Sequence, residues 1–306
     1  MNSYAEKTPL VALSEAMAEA VAFAGAGVVT VDARRRLPAS GIAYAVDLVL
    51  TADHVIERED DIYIGLPDGS QHPAAVASRD PGSDLALLRL STPLANLKTA
   101  APAARDARIG ELVLALGRPS KEGIQASLGV ISAANGPLRT GRGGLLESYL
   151  RTDTTFYPGF SGGPLINASG EVLGLNTSGL VPGFSLTVPA SLAWRVAEAL
   201  ASHGRVRRGY LGIRTQKVRL APVQQKALGR EQSSGLLLFG VEEGSPAEQG
   251  GLLVGDILVA LGGQPVADHD TLFSRLVGGL VGLPQPVEVL RGGQPFTLTV
   301  RIGDRE

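Results

Sequence analysis

A chain of 306 residues is long enough for two domains, and with 44% hydrophobic and 19% charged residues it can bury a proper core, which excludes a disordered chain. The net charge of −2, without a basic stripe or an acidic tail, gives no footing for nucleic-acid binding. The absence of cysteine excludes disulfides, thiolate metal sites and a cysteine nucleophile, and 39 glycines beside 5% aromatics suit short strands joined by tight turns.

The opening segment, MNSYAEKTPLVALSEAMAEAVAFAGAGVV, is mildly apolar and helix-prone as far as residues 25–27. It lacks a basic start followed by an apolar core, so it does not read as a signal peptide. No apolar run approaches the roughly 20 residues needed to span a bilayer. The expectation is a cytoplasmic protein, or an exported one if the sequence begins inside a longer chain. From Gly27 to about Pro189 short apolar, often β-branched runs alternate with turns: GVVTVDA, IAYAVDLVLTA, DIYIGL, AAVASR, LALLRL, ELVLALG, ASLGVISA, ESYLRT, EVLGLNT and FSLTV. This spacing predicts an all-β barrel or sandwich, and the missing helical crossovers argue against a parallel α/β sheet.

Residues 190–203 change period. Leu192, Val196 and Leu200 fall four apart, which predicts an amphipathic helix packed on the barrel. The expected layout is a first domain over 1–203, with a helical segment 1–24 and a closing helix 190–203, then a linker 204–209 and a second domain over 210–303. The second domain reads as strand, loop, strand (GLLLFGVE), short helix (SPAEQGG), strand (DILVALGG), helix (DHDTLFSRLVGG) and two strands (PVEVL, PFTLTVRI), an α+β pattern.

Three residues of the first domain can support acyl transfer, which needs a nucleophile, a base and donors for a developing oxyanion. His54 follows an apolar strand in VLTADHVIE, and histidine suits a general base because its unperturbed pKa lies near neutral pH. His72, His203 and His269 sit in polar, unpatterned settings. Asp84 directly precedes the apolar run LALLRL and is placed to fix an imidazole tautomer. Ser161 lies in YPGFSGGPL, where glycines at 159, 162 and 163 permit a tight turn. Such a turn can aim the N–H groups of Gly159 and Ser161 into one pocket. Taken singly, each has a bland reading as a surface or turn residue. The order His, Asp, Ser is used by only some triad folds, and it strengthens the set.

The segments TADHVI, SDLALLRL, TDTTFYPGFSGGPLIN and GEVLGLNTSG resemble the HtrA branch of the chymotrypsin-like serine peptidases. RRGYLGI followed by GSPAEQGGLLVGDILVALGGQPV resembles the PDZ domain that follows the protease in that family, and the likeness spans about residues 20–302. The resemblance implies a mostly β chain, a chymotrypsin-like double six-stranded β-barrel followed by an α+β PDZ domain. It implies a serine endopeptidase acting on unfolded or damaged proteins, without cofactor or metal. His54 would be the general base, Asp84 its orienter, Ser161 the nucleophile, and the amides of Gly159 and Ser161 the oxyanion donors. Asn176, Thr177 and Ser178 would pair with the substrate backbone. Tyr210, Leu211, Gly212 and Ile213 would form the loop that caps a peptide C-terminus. A homotrimer built through the N-terminal segment is also implied, with Tyr4 and Phe23 as aromatic candidates.

The chain departs from the family at some positions. Phe160 stands where relatives usually carry Asn or Asp, so it supplies no polar tether and is expected to pack beneath the turn. Asp53 directly precedes the base, and a carboxylate turned toward the imidazole would raise its pKa. Thr155, six residues before the nucleophile, is expected at the base of the specificity pocket, where the lack of charge favours small or medium aliphatic residues. The alternative reading is a catalytically weak peptide-binding or chaperone-like scaffold. The complete triad favours the peptidase.

Overall fold

The structure, a computed structural model, describes residues 8–140, 145–276 and 280–304. It forms two compact units, Met1–Val206 and Arg207–Glu306.

The first unit opens with α1 (Pro9–Gly25), which has Pro9 in its first turn and Thr8 Oγ1 accepting from the Val11 amide at 3.4 Å. Tyr4 lies outside the described residues, whereas Phe23 on α1 is exposed. Six strands follow: β1 (Val28–Asp32), β2 (Ala39–Ala43), β3 (Leu48–Ala52), β4 (Ile62–Gly65), β5 (Gln71–Asp80) and β6 (Leu85–Leu90). They close into an antiparallel barrel in the order β1-β2-β3-β6-β5-β4. The stretch IAYAVDLVLTA, one candidate run in the sequence, is a hairpin of β2 and β3, because Val46-Asp47 falls in the turn where Tyr44 and Ala45 pair back to Leu48.

The second barrel uses β7 (Leu112–Gly117) and β8 (Gln125–Asn135), a two-stranded ribbon of β9 (Leu138–Arg139) and β10 (Leu145–Leu146) outside the barrel, then β11 (Tyr149–Thr152), β12 (Pro164–Ile166), β13 (Val172–Val181) and β14 (Phe184–Pro189). Its order is β11-β14-β13-β12-β7-β8. Closure leaves neither six-strand sheet with a free edge, the antiparallel solution to unpaired backbone groups. Helix α2 (Ala190–His203) packs on β5, β6 and β13 through Leu192, Val196 and Leu200, with Gly204 in the left-handed conformation ending it.

Strand β3 is buried at every position, with one face toward its own barrel and the other against β13 of the second. That double burial matters for function. It sets the end of β3 beside the middle of β13, where the two barrels meet. The second barrel carries its own apolar cluster, in which Phe160 packs with Val113, Ala115, Ile131 and Leu165.

The second unit contains β15 (Gly209–Tyr210), β16 (Ile213–Arg219), α3 (Pro222–Leu228), β17 (Ser234–Val241), α4 (Pro246–Gln249), β18 (Ile257–Leu261), β19 (Gln264–Pro265), α5 (His269–Leu276), β20 (Pro284–Arg291), β21 (Gln294–Arg301) and β22 (Gly303–Asp304). The main sheet runs β16-β17-β18-β20-β21, with β19 added to β18, and β15 pairs with β22. Helix α3 lies in the stretch expected to be a loop. Its seven residues carry too little apolar periodicity to announce a helix, but Pro222 starts it, Gln224 Oε1 accepts from the Ala221 amide at 2.8 Å and Gly229 closes it in the left-handed region. Strand β16 ends the sheet and leaves one edge without a strand neighbour.

Candidate active site

His54 sits on a single 3-10 turn, Asp53–Val55, at the end of β3. The turn is tied to the start of β6: the Asp53 amide donates to Asp84 O at 3.0 Å and the His54 amide donates to Asp84 Oδ1 at 2.9 Å. His54 Nδ1 lies 2.8 Å from Asp84 Oδ2. Asp84 is fully buried and adopts φ +55°, a left-handed conformation that aspartate tolerates better than most side chains. A third donor, the Thr177 hydroxyl of β13, also bonds Asp84 Oδ2. A buried carboxylate accepting these bonds holds the proton on Nδ1 and leaves Nε2 as the acceptor.

Gly179 closes this group. A Cβ there would stand 2.4 Å from His54 Nδ1 and 2.7 Å from Asp84 Oδ2, and its amide donates to Thr177 Oγ1 at 3.0 Å. Asp53 is buried. Its Oδ1 meets Arg79 Nε at 2.5 Å, and the Arg79 guanidinium also reaches the Asp53 and Ile56 carbonyls. The carboxylate expected to act on the imidazole is thus engaged by an arginine from β5.

Ser161 follows the turn Tyr157–Pro158–Gly159–Phe160, closed by the Phe160 amide donating to Tyr157 O at 3.0 Å. Proline second and glycine third, with Gly159 at φ +90°, make this a type II turn, whose third position requires positive φ. Space imposes the same choice, because a Cβ on Gly159 would stand 2.4 Å from Pro119 Cβ. Phe160 turns inward, fully buried, with its ring edge-on to Tyr157 at 5.3 Å between centroids. The Gly159 and Ser161 amides donate no hydrogen bond among the described residues, which leaves both N–H groups for a ligand. Ser161 Oγ bonds Ser178 Oγ at 3.2 Å, and no hydrogen bond joins it to His54 Nε2.

A cavity of about 380 Å³ is lined by His54, Gly159, Ser161 and Ser178, with Phe156, Tyr157 and Leu37 among its walls. The residues expected from the sequence therefore divide. Ser178 faces the cavity. Asn176 is enclosed, its Nδ2 donating to Pro164 O at 2.9 Å and its Oδ1 accepting from Thr187 at 2.8 Å. Thr177 holds Asp84. Thr155 is exposed, its amide fixed by Ser127 Oγ at 2.9 Å, and it is not among the residues lining this cavity.

In the second unit, Leu211 is buried and Gly212 has φ +76°, with a Cβ there falling 2.2 Å from Ser245 Cβ. The amides of Leu211 and Gly212 donate no hydrogen bond among the described residues, and Tyr210 is held by its hydroxyl on Glu242. Ile213 opens β16, the edge strand. Across from that edge, His269 Nε2 of α5 lies 3.0 Å from Thr215 O, a contact that the polar setting of His269 in sequence did not announce.

The comparisons with known proteins follow the same division. The trypsin-like peptidase domain family matches residues 39–175, and the PDZ domain family matches residues 209–302. The solved HtrA-type protease AlgW with tripeptide is 31% identical, covers 95% of this chain and 97% of its own, and superposes with a TM-score of 0.79. The chain belongs to the HtrA family. The serine endoprotease from Yersinia pestis is 29% identical over 95% of this chain and 98% of its own, with a TM-score of 0.73. Among curated relatives, a "Probable periplasmic serine endoprotease DegP-like" of Pseudomonas fulva is 37% identical over 83% of this chain and 53% of its own length. One of the same name from Ectopseudomonas mendocina is 36% identical over 86% of this chain and 56% of its own. The chain thus spans about half the length of the curated relatives it matches. As an HtrA protein it carries the double barrel and the PDZ-type sheet that the sequence led us to expect.

Proposed function

We propose that this HtrA chain is a serine endopeptidase that cleaves unfolded or damaged proteins. The observation that carries the reading is the placement of Ser161 on one cavity with His54, whose Nδ1 is fixed by Asp84. Ser161 Oγ attacks the scissile carbonyl carbon while His54 Nε2 takes its proton. The carbonyl oxygen, now negative, is held by the Gly159 and Ser161 amides. Collapse releases the amine, which takes the proton from His54, and water then hydrolyses the acyl-Ser161 ester with His54 again as base.

The two barrels with α1 and α2, over 1–203, are assigned the chemistry, and 210–303 the recognition, with 204–209 between. A peptide C-terminus would add a strand to the free edge of β16 and set its carboxylate on the Leu211 and Gly212 amides, flanked by Tyr210 and Ile213. The AlgW structures are described as holding a tripeptide or a decapeptide, which supports this mode by analogy. A homotrimer through α1 is also proposed; Leu10, Leu13 and Phe23 expose apolar surface there.

One observation favours the second reading, a peptide-binding scaffold: Ser161 Oγ is bonded to Ser178 and not to His54. A fluorophosphonate separates the two. Labelling at Ser161, abolished in Ser161→Ala, is expected. An unlabelled chain that still binds C-terminal peptides supports the scaffold.

A further inference from the structure

We propose that Ser40 is a positioning residue for the oxyanion donors, acting through the carbonyl of Gly159. The inference rests on the reading of the 158–161 turn as the oxyanion site. Ser40 lies on β2 of the first barrel, fully buried, and faces the turn of the second. Its amide donates to Ser161 O at 3.1 Å, and its hydroxyl donates to Gly159 O at 2.7 Å. One residue therefore holds the carbonyls of both residues that supply the oxyanion N–H groups.

The direction of the hydroxyl proton is determined. A serine hydroxyl has one proton to give, and the Arg118 amide donates to Ser40 Oγ at 2.8 Å, which uses an acceptor site. The proton then goes to Gly159 O. Arg118 is itself fixed on three sides. Its guanidinium bonds Val28 O at 2.8 Å and Gly25 O at 3.1 Å, and its carbonyl accepts from Thr30 Oγ1 at 2.8 Å. The group that orients Ser40 does not move freely.

This hold matters because the Gly159 and Ser161 N–H groups must point into one pocket. Gly159 has wide backbone freedom, so glycine alone does not fix its direction. Phe160, buried among apolar side chains, offers its side chain to no polar partner. The Ser40 hydroxyl holds the peptide between Gly159 and Phe160, and the Ser40 amide holds the carbonyl of Ser161, so the backbone that carries both N–H groups is pinned on either side of Phe160.

The test compares wild type, Ser161→Ala, Ser40→Ala and Ser40→Thr in the full chain on one chromogenic peptide substrate, with inhibition by the matching peptide boronate. Loss of an oxyanion donor itself costs about 10²–10³ in kcat, so loosening one is expected to cost about tenfold. The expected result for Ser40→Ala is a fall of about tenfold in kcat with KM changed less than about twofold, boronate affinity falling in step, and recovery in Ser40→Thr. If Ser40→Ala does not fold, Ser40→Cys, close in volume and a poor donor, replaces it under the same criteria. Turnover that depends on Ser161 but keeps its kcat without the hydroxyl, or loses only KM, overturns the role of Ser40 and leaves the peptidase reading standing. A folded Ser40→Thr chain that stays as slow as Ser40→Ala also overturns it. Wild-type chain without Ser161-dependent turnover overturns the peptidase reading, and the inference with it.

Discussion

The ring of Phe160 lies flat enough on Gly117 that a Cβ at position 117 would stand 2.5 Å from Phe160 Cδ1. The residue beside Ser161 is thereby anchored by a strand of the second barrel, not by a polar tether. Gly117→Ala is expected to cost about 1–3 kcal/mol through overpacking, and Phe160→Ala about 3–5 kcal/mol through the cavity left. Urea unfolding checks both. Combined as Gly117→Ala/Phe160→Leu, the two changes should cost less than their sum, because the added methyl enters space the ring vacates.

Thr177 makes a second case. Its hydroxyl bonds Asp84 and its oxygen accepts the Gly179 amide, so Thr177→Val removes both while keeping the shape. A lost hydrogen bond to a charged group costs about 1.5–3 kcal/mol, and kcat is expected to fall about tenfold as the His54–Asp84 pair loosens. Thr177→Ser, which keeps the hydroxyl, should retain most of the activity. Steady-state kinetics on one peptide decides it.

The second unit carries its own acid limit. Burial alone pushes the Asp256 carboxyl up, but the Arg291 guanidinium on both its oxygens and the Leu253 amide outweigh burial and hold it below the ordinary 3.8. A carboxyl depressed in the folded state contributes stability above its unfolded pKa, and that contribution is lost as pH falls through the folded value. The stability of this unit should therefore decline from about pH 4 downward. Asp256→Asn should flatten that limb and cost about 2 kcal/mol at neutral pH, less than for a fully buried pair because Arg291 is partly exposed. Thermal unfolding across pH measures it.

The proposed assembly through α1 has a direct check. Light scattering should give three times the chain mass, and Leu10→Ser with Phe23→Ser should shift the particle toward a single chain. A single-chain mass for the unaltered protein contradicts the trimer.

His269 bears on the proposed entry of peptides into the second unit. A strand added to β16 must take Thr215 O from the imidazole. His269→Ala is expected to bind C-terminal peptides more tightly, by about 1 kcal/mol, the net worth of one hydrogen bond. Fluorescence anisotropy with a labelled peptide would show it, and unchanged affinity would mean that the contact does not oppose entry.

The barrels were legible because period-two runs and glycine-marked turns are local signals, and so was the placement of His54, Asp84 and Ser161 at strand ends or turns. What was not legible depends on side-chain direction and on packing between distant segments. Nothing in the order Asn176–Thr177–Ser178 distinguishes the two side chains that turn inward from the serine that faces the cavity. The direction of Asp53 depends on Arg79, a strand away in the barrel. Thr155 was placed by counting back from Ser161, but its exposure depends on how residues 153–156 leave β11, where the pairing with β8 slips between Arg151 and Thr152. Nothing local in the run ELVLALG marks Gly117 as the surface that the ring of Phe160 covers.

Gly179 has a consequence for how this sequence tolerates change. Any side chain there collides with the His54 imidazole and with the Asp84 carboxylate that fixes it, yet the position sits on a strand whose fold an alanine would scarcely disturb elsewhere. A library randomised at codon 179 should separate cleanly by the trait selected. Survivors chosen for peptide cleavage should carry glycine alone, whereas survivors chosen for C-terminal peptide binding should carry glycine and alanine together.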